Sequence, residues 1–462
     1  MTTRIKAALL PLYADLYDRT VPAERARCEA ILPDVQAALA ERGVDLIVLP
    51  TCRLKDEFAA AVRQAEQADA SALLTLHLAY SPSLECIEAL ARTPLPILVV
   101  DTTPAAAFGP DQEPGALMHN HGIHGVQDMC NLLVRRGKWF AVEAGHWRQS
   151  DVLDRVATWL RSARMARRMR AIRVGRVGEP FQGMGDFQVE PARLQADLGL
   201  AVVTAGPRDI AALMPHDGDP EVAREVELDR QRFDASGATP QLHRDTVRAG
   251  LAVRRWLQRE RLGAYALNFL ALTADCGLPA VPFLEASKAM QRGLGYAGEG
   301  DVLTASLVAA LASTGPATFT EMFCPDWQGN RIFLSHQGEL NLDMSDGTPL
   351  LVDKHWDFIP LADACIAAAA LRPGDGVLVN LAPVGEGAYR LLVVPVEIVP
   401  DTGRKFAEMI RGWIRPRLPI ADLLAAYSRA GGTHHCALAS GRRADEIAGF
   451  GAMMGWDTLA LG

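Results

Sequence analysis

The stretch SRAGGTHHCALASG, residues 428–441, places His434 and His435 behind a double glycine and ahead of an apolar run. Three other stretches put chemistry-bearing side chains in apolar or glycine-rich surroundings. GYAGEGDVLTASL sets Glu299 between glycines, with Asp301 placed to cap a following helix. ATFTEMFCPDW holds Glu321 inside a strand-like run, where a carboxylate is costly unless it is paired or metal-bound. IFLSHQGELN puts His336 and Glu339 on a strand or its exit. Taken singly, each has an ordinary explanation: a turn into a capped helix, an edge-strand acid, a hydrogen-bonded histidine, a surface histidine pair. Successive side chains on an extended strand point to opposite faces, so only one of His434 and His435 is expected to enter a site.

The combination says more than its members. Two carboxylates and two imidazoles form a mixed oxygen and nitrogen donor set. Such a set suits a borderline divalent cation, Mn²⁺ first, with Co²⁺, Fe²⁺ or Zn²⁺ also compatible. The eight cysteines are scattered without a CxxC or any ligand spacing, which argues against a thiolate zinc site. Four protein ligands on an octahedral ion leave two positions, and two adjacent oxygens of a polyol would fill them.

Positioning such residues requires a scaffold, and its texture changes along the chain. Over the first third, IKAALLPLY, DLIVLP, ALLTLHL and PILVVDT read as strands between helical stretches such as KDEFAAAVRQAEQAD and SLECIEALAR. Continuous apolar runs between amphipathic helices predict a parallel, doubly wound α/β domain. No GxGxxG follows the first strand, so a dinucleotide site has no support there. A second α/β region starts near AIRVGRVG, and the basic helix WLRSARMARRMR before it reads as a solvated interdomain helix. After residue 311, short alternating runs separated by Gly, Pro and Asp predict a β-rich, barrel-like region. Three domains are expected: 1–170 doubly wound α/β, 171–310 central α/β, and 311–462 β-rich.

The whole chain has 462 residues and a formal net charge of -8, which leaves no basic footprint for nucleic acid and no cationic face for a membrane. No apolar run approaches the roughly 20 residues that cross a bilayer. The N-terminal stretch reads as a first strand and not as a signal peptide. The cysteine pattern fits buried thiols in a reducing cytoplasm.

In order along the chain, these motifs resemble signatures of the L-arabinose isomerase and L-fucose isomerase superfamily, on its arabinose isomerase side. GLGYAGEGDVLTASL is similar to that family's GFAGEGDWKTAAL-type signature, TFTEM to SFMED, and LSHQGE to SHMLE. AYRLLV followed by AGGTHH resembles YRLLV…AGGAHH, while HNHGIHGVQDM and AGHW upstream resemble NQTAHGGREF and TGHW. The resemblance implies three domains and a trimer or hexamer with sites between subunits. It implies that Glu299 and Glu321 bind the metal and shuttle protons, and that His336 and His435 are the imidazole ligands. His124 matches a histidine near the sugar that arrives from a neighbouring subunit, and Gln337, His434 and Glu339 are expected around the substrate. The chain also departs from the pattern. Met322 replaces an Asp, Gln337 and Gly338 replace two apolar residues, the stretch between Glu321 and His336 is shortened, and LPLYADLYD replaces GSQHLYG. Metal chemistry is therefore expected to persist beside a rebuilt sugar pocket.

The implied activity is a metal-dependent aldose–ketose isomerisation of a pentose or deoxyhexose through an ene-diol. The C–H acid involved is very weak until its carbonyl is polarised by a divalent ion, and carboxylates on either side move the protons. The alternatives are a related epimerase or isomerase of a modified sugar or sugar acid, and a non-catalytic sugar-binding protein. The last is disfavoured by the presence of both glutamates and both histidines, since buried charges without a metal would be destabilising.

Overall fold

The computed structural model describes residues 4–462. They divide into two compact units, one ending at Arg164 and one running from Met165 to Gly462. The first unit contains β1 (Ile5–Leu12), β2 (Val44–Val48), β3 (Leu73–His77), β4 (Ile97–Asp101) and β5 (Phe140–Ala144). All are parallel, in the order β2-β1-β3-β4-β5, so the winding reverses beside β1 as in doubly wound sheets. Helices such as Lys55–Gln67, Ser83–Arg92 and Ile123–Arg135 connect them. Their apolar stripes bury Phe58, Val62, Ile87, Leu90, Met129 and Leu133 against the sheet's Leu10, Leu73 and Val99.

The helix Val152–Ala171 runs through the division between the units, and it is not a solvated connector. Its arginines are spaced by apolar residues, and Leu153, Val156, Leu160, Met165 and Met169 are fully buried. Arg168 and Arg170 donate to the carbonyls of Gly263 and Met453.

The second unit begins with β6 (Arg173–Val177), β7 (Ala201–Ala205), β8 (Asp234–Gly237), β9 (Ala264–Leu267) and β10 (Gly295–Gly298). Four of these form a parallel sheet in the order β10-β9-β6-β7. The chain continues through β11 (Ala317–Asp326), β12 (Arg331–Ser335), β13 (Ser345–His355), β14 (Asp363–Leu371), β15 (Gly374–Gly385), β16 (Ala388–Val399), β17 (Gly412–Pro416), β18 (His435–Ser440) and β19 (Asp457–Ala460). Six of them close a barrel in the order β15-β18-β11-β12-β17-β16, with β16 pairing back onto β15 and every ladder antiparallel. A side sheet, β14-β13-β8, pairs β8 with a strand of the later sequence.

Between the parallel sheet and the barrel lies the helix Val302–Ala312, which packs on β9, β10, β11 and β18. Its residues from Val302 to Leu311 are all buried, in keeping with a sequence that is apolar on every side. Gly295 permits this packing, because a Cβ there would lie 1.9 Å from the Ala305 carbonyl oxygen. The helix start, the end of β10 and the barrel strands β11, β12 and β18 thus bring residues far apart in sequence to one place.

Candidate metal centre and active site

Glu299 leaves β10 with its amide still donating to the Leu267 carbonyl at 2.8 Å. The chain then turns sharply, with Glu299 at φ 61°, a left-handed conformation uncommon for a residue with a side chain. Two positions on, Asp301 caps the buried helix through Oδ1, which accepts from the Thr304 amide at 2.9 Å. Its other oxygen is free for a second task.

Glu321 on β11 stands directly opposite His435 on β18 and opposite Ser335 on β12. Cross-strand partners share a face, so His435 Nε2 lies 3.3 Å from Glu321 Oε1. His336, one residue beyond β12, brings its Nε2 to 3.4 Å from the same oxygen. On the other side, Glu299 Oε2 is 3.2 Å from His435 Nε2 and 3.6 Å from His434 Nε2. Gly298 leaves space for this arrangement, since a Cβ there would stand 2.8 Å from His336 Cε1.

Both histidines of the pair therefore reach Glu299, with ring centroids 4.2 Å apart. The alternation rule does not separate them, because β18 starts at His435 and His434 belongs to the bend before it. Their surroundings differ: His435 is completely buried, whereas the His434 side chain is 39% exposed.

Every imidazole has a carboxylate on its far nitrogen. His435 Nδ1 meets Asp301 Oδ2 at 2.9 Å, His336 Nδ1 meets Glu339 Oε2 at 2.7 Å, and His434 Nδ1 meets Asp186 Oδ2 at 2.8 Å. Such pairing fixes ring orientation and commits Nδ1, leaving Nε2 to face the two glutamates. Phe187 stacks on His435 at 4.7 Å, and Phe319 packs its ring against both His336 and His435.

The electrostatics follow from this crowding. Burial pushes the Glu299 carboxyl upward, but contacts with His434 and His435 outweigh it and bring the pKa down to about 2. Burial likewise disfavours a charged His435, yet Asp301, Glu299 and Glu321 lift it well above the usual histidine value. His336 is raised too, against its burial, by Glu339 and then Glu321. His434 is raised chiefly by Glu299, with Asp186 adding to the effect against partial burial.

The donor set passes a test for a divalent cation on its own geometry. Glu299 Oε2, His336 Nε2 and His435 Nε2 are buried without a hydrogen-bond partner, and such atoms are expensive inside a protein. Ligand atoms about 2.1 Å from one ion at right angles to each other lie about 3 Å apart, close to the separations here. Glu299, Glu321, His434 and His435 each offer one ligand atom, all within 4.8 Å of one another. His336, expected as a ligand, lies outside that group and touches it at Glu321 Oε1, whereas His434, expected near the substrate, lies within it.

The remaining expected residues fall in different settings. Gln337 is half-buried beside His336. Glu339 is fully buried, with its oxygens held by Tyr296 Oη at 2.5 Å, the Gly338 amide at 2.8 Å and His336, so it orients His336 from behind. His124 is exposed on the helix Ile123–Arg135 of the first unit, 6.0 Å from the ring of His121. Asp186 and Phe187 were not anticipated. GMGDFQ carries no motif, and its contact with His434 spans 248 positions.

Comparison with known proteins adds an independent line. Residues 181–316 match the L-arabinose isomerase central domain, and residues 316–457 match the L-arabinose isomerase C-terminal domain. The two matches meet inside the site, spanning all the carboxylates and imidazoles just described in the second unit. The chain belongs to an L-arabinose isomerase-like family. L-arabinose isomerase of Salmonella typhi is 27% identical over 410 residues, covering 84% of this chain and 81% of that protein. L-arabinose isomerase of Erwinia tasmaniensis is 26% identical over 435 residues, covering 90% and 86%. Membership agrees with the fold, which has parallel sheets followed by a closed antiparallel barrel. Among the described residues no helix is long and apolar enough to cross a membrane.

Proposed function

We propose that this protein is a metal-dependent aldose–ketose isomerase acting on a pentose or deoxyhexose through an ene-diol. The observation that carries the reading is the set of buried, unpartnered Glu299 Oε2, His336 Nε2 and His435 Nε2 atoms around Glu321. Family membership and relatives named L-arabinose isomerase support the same activity.

Glu299, Glu321, His435 and His336 would hold a divalent ion, Mn²⁺ by donor chemistry, with His434 adjoining. When bound, such an ion polarises a carbonyl and its neighbouring hydroxyl and so acidifies the C–H bond between them. The chain's own residues do the rest. One carboxylate of the Glu299–Glu321 pair takes the proton from one carbon and returns it to the next. The other carries the hydroxyl proton. The two share His435 as a neighbour, so their titration belongs to the pair. Phe187 and Phe319 cover the rings and exclude water from the reacting atoms.

Among the described residues, the ion-pair partners of Glu299, Glu321, Asp301, Glu339 and Asp186 are all imidazoles. His124, presented from a neighbouring copy in a trimer or hexamer, and Gln337 beside the site complete the proposed substrate contacts. The partition 1–170, 171–310 and 311–462 remains the proposed domain plan.

The test is a sugar panel in D₂O with chelated and Mn²⁺-loaded protein, accompanied by sizing of the assembly. Divalent-dependent formation of an aldose/ketose mixture, with deuterium at C1 or C2, is expected. Epimers without a ketose would favour the epimerase. A protein that neither binds a divalent ion nor turns over any sugar would be a binding module.

A further inference from the structure

The two histidines share a site only because the chain turns a corner immediately before β18. β15 and β18 are paired from Gly376 and Ser440 to Val379 and Ala437, and there the ladder stops. β15 itself continues, with Asn380 opposite Leu392 on its other neighbour, β16. At the first position past the ladder, the Asn380 side chain replaces the missing main-chain partner. Its Oδ1 accepts from the Thr433 amide at 3.2 Å, and its Nδ2 donates to Thr433 Oγ1 at 2.6 Å and to the His435 carbonyl at 2.7 Å. The Thr433 hydroxyl in turn donates to the same carbonyl at 3.1 Å.

The other side of the corner is held as well. Tyr427 Oη donates to the Thr433 carbonyl at 2.7 Å. Gly432 allows that approach, since a Cβ there would lie 2.2 Å from the Tyr427 ring, and Gly431 turns the chain at φ 80°. Asn380 and Thr433 are both buried, so these contacts do not compete with water. Without the amide, simple continuation of the β15–β18 ladder would pair Asn380 with Cys436. His434 and His435 would then alternate between faces.

We propose that Asn380 is a positioning residue of the active site: its amide fixes the Thr433–His435 corner and thereby brings both imidazoles onto Glu299. This rests on the metal-centre reading above. Asn380 touches neither glutamate and acts only through the main chain of the histidines.

The experiment compares Mn²⁺ binding by calorimetry, thermal midpoint, and kcat and KM for wild type, Asn380→Ala and Thr433→Val. Asn380→Ala is expected to weaken Mn²⁺ binding by about 10–100-fold, as loss of an outer partner of metal ligands does. At saturating Mn²⁺ its kcat should largely recover while KM for the sugar stays raised, because His434 has also moved. Thr433→Val, which deletes one hydroxyl at constant shape, should change affinity in the same direction by about 2–10-fold. It decides the matter if Asn380→Ala does not fold. Variants that lose thermal stability but keep wild-type Mn²⁺ affinity and KM would overturn the proposal and leave Asn380 a merely structural residue. A wild-type protein that binds no Mn²⁺ would instead overturn the metal-centre reading, and this one with it.

Discussion

Two clusters of buried charge lie in the second unit, and they are built on opposite principles. Around Arg254, three acids meet three bases. Arg254 forks onto Glu225 and Glu285 at 2.7–3.0 Å, Lys288 reaches Glu225 at 2.9 Å and Asp229 at 2.5 Å, and Arg292 closes on Glu285. His243 satisfies Asp229 from the other side at 3.0 Å. Around Glu321, by contrast, two carboxylates face imidazoles that already carry their own carboxylates, and no lysine or arginine is among their ion-pair partners in the described residues. The first cluster is electrically closed and holds helices together. The second lacks positive charge, which a divalent cation would supply. Burial of ionisable groups alone does not mark a functional site; an unbalanced set does.

The comparison breaks most visibly at Glu321. Glu321→Gln keeps the size and one oxygen of the side chain but removes a proton acceptor. It should leave the melting curve near wild type while turnover falls by about 10³–10⁴-fold, read by a ketose assay on the true substrate. An active Glu321→Gln protein would end the catalytic assignment. The closed cluster should behave the other way. Lys288→Met leaves Glu225 and Asp229 without their shared cation and should cost about 3–5 kcal/mol of stability in a denaturant titration. Mn²⁺ affinity of the folded variant should not change. If Lys288→Met instead lowered Mn²⁺ affinity with stability intact, the two clusters would not be independent of each other.

How far the sequence alone leads differs between these regions. Strand-forming Val, Ile and Leu runs made β1 to β4 legible, and turn residues with alternating patterns did the same for β12, β13, β15 and β16. β14, with its run Ala367–Ala370, was not foreseen because alanine carries little strand preference. Its place comes from pairing with β13. GYAG reads as a loop, yet forms β10, its glycines serving the packing of a helix and the His336 ring. At the site, Glu321 stood out because a carboxylate in an apolar stretch needs a reason, whereas Glu299, His336 and the choice of His435 over its neighbour rested on the resemblance to the L-arabinose isomerase signatures. Asp301 was visible as a helix cap but not as the partner of His435. Asp186 and Asn380 could not be found in this way, for each acts across a long sequence separation through contacts only the fold creates.

Within the open cluster, His434 and His435 offer a narrower contrast. His435 is buried, touches both glutamates and is braced by Asp301; His434 is part-exposed and touches Glu299 alone. His435→Ala should therefore weaken Mn²⁺ affinity by about 100-fold or more, at or beyond the upper end for an outer partner. His434→Ala should weaken it by about tenfold. Equal losses in calorimetry would mean that both rings ligate alike.

The smallest effect separates the clusters by pH. Burial works against a charged Glu225, but Arg254 and Lys288 hold it well below the usual carboxylate range. Its contribution to stability is thus present above about pH 4.5 and is lost only as pH falls through the depressed value. Between pH 6 and 8 the Glu225 contribution is constant. His435 behaves oppositely: burial opposes the charge, but Asp301, Glu299 and Glu321 raise its pKa well above the ordinary value. In the metal-free protein that protonation stabilises the fold fully below about pH 6.5 and fades as pH rises through the raised value. A cation needs the lone pair that this proton occupies. Mn²⁺ uptake should therefore release a proton, with apparent affinity rising by up to about tenfold per pH unit. The thermal shift caused by Mn²⁺ should be larger at pH 8 than at pH 6.5. A shift that is flat across this window, with no proton release in buffers of different ionisation enthalpy, would show that His435 does not gain its lone pair at the expense of a proton.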